Sequence, residues 1–282
     1  MKFSRPEADV HVPDGSPADQ ALGRTTHLCI GAHQDDIEIM AHGSIVECYG
    51  SSELHFTGVV ATDGAGSPRT GRYAGVTDLG MQGIRRDEQR RAADLGRYNL
   101  QIQLAHPTSE VKQPGHPGVV SDLAAILGAA RPRVLLLHAP TDKHDTHVAL
   151  LLRCAEAIRS LPRERRPLRI LGCEVWRGLD WLVDSDKVAL DAGGMPELAD
   201  ALLKVFDSQI SGGKRYDAAT LGRRVANATY DRHHDTDRSE AVTWAVDLTA
   251  ALVEERIGLR ELALAHIDHL RADVTARIDR FG

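Results

Sequence analysis

Five short apolar runs, at residues 27–32, 54–61, 99–104, 134–138 and 168–175, alternate with stretches of helical periodicity at 43–49, 84–95, 119–130 and 148–160. Strands that alternate with helices are joined by crossovers. Crossovers set the strands parallel in one sheet with helices over its faces, and they run right-handed. The expected fold is therefore α/β, a Rossmann-like parallel sheet flanked by helices. Residues 195–206, 239–253 and 259–280 also read as helices and form a C-terminal helical extension. No internal repeat is visible. A chain of 282 residues can bury a sizeable core. We expect one domain over 25–282, preceded by a polar segment over 1–24.

The run at 27–32 opens directly into A-H-Q-D-D-I-E, residues 32–38. One imidazole and two adjacent carboxylates thus stand at the carboxyl end of an expected strand. A pair of aspartates there also suits a solvated turn before a helix, since carboxylates favour helix starts. A second cluster shifts the balance. H-A-P-T-D-K-H-D-T-H, residues 138–147, follows the run at 134–138, and a helical pattern follows in turn. His144 and His147 are three apart and share a face if the helix has begun there. Two His/Asp-rich loops at the carboxyl ends of parallel strands lie on the edge where open α/β sheets bind ligands.

These residues resemble the LmbE/PIG-L N-acetylglucosaminyl deacetylases, whose motifs are A-H-P-D-D-x-E and a downstream H-x-x-H. Glu38 to Ile45 parallels the family's E-I-G-x-G-G-T-L, and Thr62-Asp63-Gly64 follows the second strand where the family has a Gly-containing loop. Arg85 to Glu88, Ala92-Ala93 and Leu95-Gly96 match its R-x-x-E…A-A-x-L-G helix. The resemblance covers about residues 25–160. It implies His33, Asp36 and His147 as ligands of one divalent ion per chain, expected to be Zn2+. Asp35 is implied as the general base and Arg85 as a substrate contact. His144 is implied to stabilise the tetrahedral intermediate or to protonate the leaving amine. It also implies a homo-oligomer. Gln34 stands where the family has Pro, and Met40 and His42 where it has Gly. Thr146 precedes the last His where the family has an Asp that orients the first. Asp142 or Asp145 is left to orient His144.

The chemistry of the residues agrees. Three protein ligands leave a position open, the mark of a catalytic site. Water on such an ion ionises near neutral pH, a carboxylate beside it takes the proton, and an imidazolium stabilises the oxyanion. That set suits hydrolysis of linear amides. The expected function is removal of an N-acyl group, acetyl in the family, from a small molecule containing an amino sugar. A metal-dependent amidase on a non-sugar or thiol-conjugate amide is the alternative. A dinucleotide oxidoreductase is disfavoured, because the loop after the first strand lacks G-x-G-x-x-G and offers carboxylates where a pyrophosphate would sit. A silent binding protein is disfavoured by the intact His33, Asp35, Asp36 and His147.

Composition excludes other classes. Formal net charge is -6 with no basic block, which argues against nucleic acid as partner. No run reaches the ~18–20 apolar residues of a membrane span. Residues 1–24 hold no apolar core of a signal peptide, so a cytoplasmic location is expected. Cys29, Cys48, Cys154 and Cys173 form no C-x-x-C pair and read as buried free thiols. Residues 208–237 are dense in Arg, Gly, His and Asp and read as a long irregular segment, either covering substrate or solvated. Trp176, Arg177 and Trp181 follow the fifth run and either line a sugar pocket or pack in the core or an interface.

Overall fold

The computed structural model describes residues 1–282. Its strands are β1 (Asp9–His11), β2 (His27–Gly31), β3 (Phe56–Thr62), β4 (Leu100–His106), β5 (Val134–His138), β6 (Arg169–Cys173), β7 (Val188–Asp191) and β8 (Val242–Asp247). They form a single sheet in the order β1-β4-β3-β2-β5-β6-β8-β7. The middle five, β4 to β6 across the sheet, are parallel. At the two edges β1 pairs antiparallel with β4, β8 with β6, and β7 with β8.

The helices are α1 (Ala18–Gly23), α2 (Asp36–Met40), α3 (His42–Cys48), α4 (Asp78–Leu95), α5 (Thr108–Lys112) and α6 (Pro117–Ala130), then α7 (Asp145–Ser160), α8 (Pro196–Lys204), α9 (Asp207–Ile210), α10 (Tyr216–Thr229), α11 (Thr249–Leu252) and α12 (Leu259–Phe281). Period-two alternation along the strands divides the core. Leu28, Ile30, Leu135 and Leu137 face α6 and α7, packing with Leu123, Leu127, Leu150 and Ile158. Cys29, Val60 and Leu136 face the other side, against Ile37, Ile45, Ala93 and Leu202. All four cysteines are buried and free. No helix is long and apolar enough to cross a membrane.

Several elements differ from expectation. The stretch 239–253 is not one helix. Val242-Thr243-Trp244-Ala245-Val246 is a buried strand, because β-branched and aromatic residues fit a pleated, enclosed surface; only Thr249–Leu252 coils. The segment 208–237 is not irregular throughout, since α10 occupies Tyr216–Thr229. α4 begins at Asp78, where the Thr77 hydroxyl accepts from the Gly80 N–H, earlier than the periodicity predicts. The polar N-terminal residues supply β1 and α1.

The chain leaves β2 toward β3 and β4 on one side and returns through β5 to β6 on the other. β2 and β5 are therefore neighbours, in parallel register His27↔Val134 to Cys29↔Leu136. The crevice at their carboxyl ends is the topological switch point.

His106 closes β4 and ties the N-terminal residues to this frame. Its Nδ1 lies 2.7 Å from Glu110 Oε2 and its Nε2 3.1 Å from Asp122 Oδ2. Asp122 accepts from the Ser4 amide and hydroxyl, and Glu110 from Arg5. Burial works to lower the His106 pKa, but the hydrogen bonds and charges of Asp122 and Glu110 outweigh it and the net shift is upward. Such a group stabilises the fold fully below its unfolded pKa of about 6.5, and the contribution is lost as pH rises through the higher folded value. Denaturant titrations should show stability falling over that window. His106→Gln should remove this part of the slope; identical pH slopes in the two proteins would contradict the assignment.

Candidate metal centre

The loop that leaves β2 turns back sharply into α2. Asp35 has φ 101° and ψ −29°, a left-handed conformation costly for a residue with a Cβ. The turn points Asp36 back toward the loop, where its Oδ2 accepts from the His33 amide at 2.7 Å. The β5 loop arrives from the neighbouring strand. His144 is the N-cap of α7, and His147 lies in its first turn.

Three donor atoms meet between the loops. His33 Nδ1 lies 3.3 Å from Asp36 Oδ2 and 3.3 Å from His147 Nε2, and the last two are 3.4 Å apart. Metal bonds of ~2.0–2.1 Å at the tetrahedral angle need donors about 3.3–3.4 Å apart, so the triangle has the edge of a zinc-sized site. Its hydrogen bonding also fits. His147 Nδ1 lies 3.1 Å from Asp142 Oδ2. A carboxylate only accepts, so Nδ1 carries the proton and Nε2 presents a lone pair to the triangle. Burial lowers the His147 pKa, but Asp36 and Asp142 outweigh it and raise it overall. Burial likewise pushes Asp36 upward, yet the imidazoles of His147, His138 and His33 drive it well below the usual carboxylate range. The site calls for positive charge at its centre, and a divalent cation satisfies all three donors.

His138 belongs to the same cluster, with its ring stacked 3.8 Å from that of His147 and its Nε2 3.5 Å from Asp36 Oδ2. It is no fourth ligand. The Ala32 amide donates to that Nε2 at 3.0 Å and occupies its lone pair. A separate grouping of His106, Glu110 and His116 also brings donor atoms together, but both nitrogens of His106 already face carboxylates.

The triangle opens on a cavity of about 470 Å³ lined by His33, Asp35 and Asp36 from the first loop, His144 from the second, and Arg85. The pKa of Asp35 is pushed well above the usual range, mainly by burial, with Asp36, Glu38 and Glu88 adding repulsion against the pull of Arg85. Arg85 is nearly spent within the protein. Its guanidinium donates to the Gln34 carbonyl and the Ser67 hydroxyl and lies 3.7 Å from Asp35 Oδ1, and Nε is buried without a partner.

The expected orientation of His144 needs correction. The Asp142 carboxylate holds His147, and it reaches His144 only through the backbone amide at 3.0 Å. Asp145 does not hydrogen-bond the ring. His144 Nδ1 instead accepts from the Thr146 amide at 3.3 Å, the helix-capping bond, so the neutral ring carries its proton on Nε2. Burial, with His147 and His33 beside it, lowers the His144 pKa to about 4. It is a neutral imidazole rather than the imidazolium expected from sequence.

Glu38, the last residue of the first motif, is fully enclosed, takes hydrogen bonds from Tyr98 at 2.7 Å and Gln89 at 2.8 Å, and is pushed up to about 7 by burial. Gln34 anchors the motif loop to the sheet, donating to the Thr62 carbonyl at 3.3 Å and Gln103 at 3.2 Å. His42 donates through Nε2 to the Gly194 carbonyl at 3.0 Å, joining α3 to the turn before α8. Trp176, Gln209, Lys214 and Tyr216 line the cavity, so the first part of the 208–237 segment covers the site. His233 and His234 do not line it. Lys112 and Thr108, at the ends of α5, escaped the sequence reading because nothing local marks them.

Residues 28–158 match the family model described as PIG-L: GlcNAc-PI de-N-acetylase. No curated protein matches the chain significantly. Among solved structures, the conserved protein TT1542 from Thermus thermophilus aligns with TM-score 0.61 and 18% identity, over 79% of this chain and 94% of that one. GalB, the 4-carboxy-2-hydroxymuconate hydratase of Pseudomonas putida, aligns with TM-score 0.59 and 15% identity, over 79% and 96%. The N,N'-diacetylchitobiose deacetylase of Pyrococcus horikoshii aligns with TM-score 0.55 and 18% identity, over 78% and 83%. At these identities the likeness is one of fold. Residues 28–158 thus match the PIG-L (LmbE-like) family model, and the motif residues of that match gather at the crevice.

Proposed function

We propose that the protein is a metal-dependent N-deacylase that removes an acetyl group from a small molecule containing an amino sugar. The observation that carries this reading is the donor triangle of His33, Asp36 and His147, opening on a cavity that Asp35 and His144 also line. The PIG-L domain and the deacetylase of like fold support the choice of an amide as the scissile bond. The site belongs to residues of one chain. A homo-oligomer is proposed by resemblance alone.

His33 Nδ1, Asp36 Oδ2 and His147 Nε2 would hold the ion, with Asp142 keeping His147 in the ligating tautomer. A divalent ion of the zinc type supplies an activated water and polarises the amide carbonyl. Asp35 takes the proton from the attacking water on a carboxylate oxygen. Its raised pKa suits it to keep that proton and then deliver it to the departing amine nitrogen. His144 is neutral and donates its Nε2–H to the developing oxyanion, the work of an oxyanion hole rather than of an acid. Arg85 lines the cavity and by resemblance would contact substrate there, while its guanidinium holds the Asp35 loop from behind.

Incubation of the metal-loaded protein with a panel of N-acyl sugars and non-sugar amides, read by release of acetate or other acid, tests this. Turnover confined to non-sugar amides would favour the amidase alternative. No turnover of any amide, or turnover untouched by a strong chelator, would refute the mechanism. Asp35→Asn keeps the shape of the side chain and should leave about one ion per chain while lowering kcat by roughly 10²–10⁴-fold. Asp36→Asn should lose the ion on dialysis. Asp142→Ala removes the acceptor that holds His147 and should weaken metal retention by about 10–100-fold, measured by competition with a chromogenic chelator. An unchanged metal affinity in Asp142→Ala would show that the His147 tautomer is set elsewhere.

A further inference from the structure

Resting on that reading of the cavity, we propose that its substrate carries an anionic group, phosphate or carboxylate, on the part away from the acyl group, and that Lys112 and Lys214 recognise it. The chain has only six lysines, and two of them line this one cavity. Lys187 and Lys204 are paired on the surface, with Asp184 at 3.0 Å and Asp200 at 2.6 Å. Lys112 and Lys214 have no carboxylate within salt-bridge distance. The carboxylates of the cavity wall are already assigned, Asp36 to the donor triangle and Asp35 to Arg85 at 3.7 Å. Arg85, the remaining cation of the wall, is bound to Gln34 and Ser67. Two exposed ammonium groups are therefore left facing the same space without an internal partner.

Their placement gives the charge a position relative to the chemistry. Lys112 ends α5, and Lys214 comes from the turn between α9 and α10. The Lys214 amine rests 5.5 Å from the centre of the Trp176 ring, and that ring lies 5.6 Å from the ring of His144. The cation is thus about one aromatic ring away from the group assigned to the oxyanion. An exposed cation–π contact is weak, and a charge-assisted hydrogen bond to an anion outweighs it. Release of Lys214 to an anion also frees the Trp176 face for the apolar face of a sugar ring. The chain as a whole carries net charge -6 and repels anions, so two local cations at the mouth act as a selective attraction against that background.

Binding of three ligands that contain no amide bond, glucosamine, glucosamine 6-phosphate and muramic acid, tests this by calorimetry on the metal-loaded protein without any turnover. The phosphate and carboxylate arms identify which anion the site prefers. We expect at least one of them to bind about tenfold or more tightly than glucosamine, with an advantage that shrinks as salt is added. Lys112→Gln and Lys214→Gln should each reduce that advantage about tenfold, and the double variant should abolish it. Equal binding of all three ligands, no binding of either anion, or an advantage that survives in the double variant would each overturn the proposal. Amide turnover is measured separately, so an inactive protein that still prefers anions would refute the deacylase reading and leave this one standing.

Discussion

The parallel pairing of β2 with β5 is the constraint on which the site depends. His33 and Asp36 follow one strand and His147 the other, and no local interaction links them along more than a hundred residues of chain. The register sets how far apart the two loops emerge. A slip of one residue moves a strand by about 3.3 Å, more than ten times the ~0.2 Å within which ligand distances must hold. It would also turn Leu135 and Leu137 from one core face to the other, so the hydrophobic pattern that builds the core is what protects the donor geometry.

Buried charge is the second theme. Asp35, Asp36, Glu38, Glu88, Arg85 and Arg224 are all enclosed around the first motif. Enclosed charges are tolerated only where partners replace water. Arg224 on α10 donates to the carbonyls of Glu38 at 2.6 Å and Ile39 at 3.0 Å, near the carboxyl end of the short buried helix that begins at Asp36. A cation suits a helix C-terminus. Gln89 links the Asp35 amide to Glu38. The left-handed backbone at Asp35 persists because these contacts hold both sides of the turn. The strain and the concentrated charge fall on the residues assigned to the chemistry, where such departures from ordinary backbone and pairing tend to gather.

The positions at which the chain departs from the PIG-L motifs it resembles acquire reasons in the structure. Gln34 replaces a proline that would stiffen the loop, and it anchors the same loop by side-chain hydrogen bonds to β3 and β4. His42 replaces a glycine and reaches Gly194. Gly43 beside it is still required, since a Cβ there would collide with the Asp191 carbonyl oxygen. α3 is thereby pressed against the end of β7, an edge strand that the hydropathy pattern did not mark.

The sequence by itself determined the parallel core of the sheet, the two His/Asp-rich loops and the residues they offer. Apolar runs of strand length and the order of the motifs along the chain are local properties. It misjudged 239–253, where alanine and leucine mimic helix periodicity but burial between β6 and β7 selects a strand. It left Asp142 or Asp145 to orient His144, whereas the Asp142 carboxylate meets the His147 ring, because which ring a loop carboxylate meets depends on the path of the loop and not on spacing. The neutral state of His144 follows from burial and from its place as a helix cap, and neither is written in H-D-T-H. Lys112, Trp176 and the Lys214–Tyr216 stretch come from separate parts of the chain to wall one cavity. Only packing decides that, because residues so far apart become neighbours through the sheet and the helices laid on it.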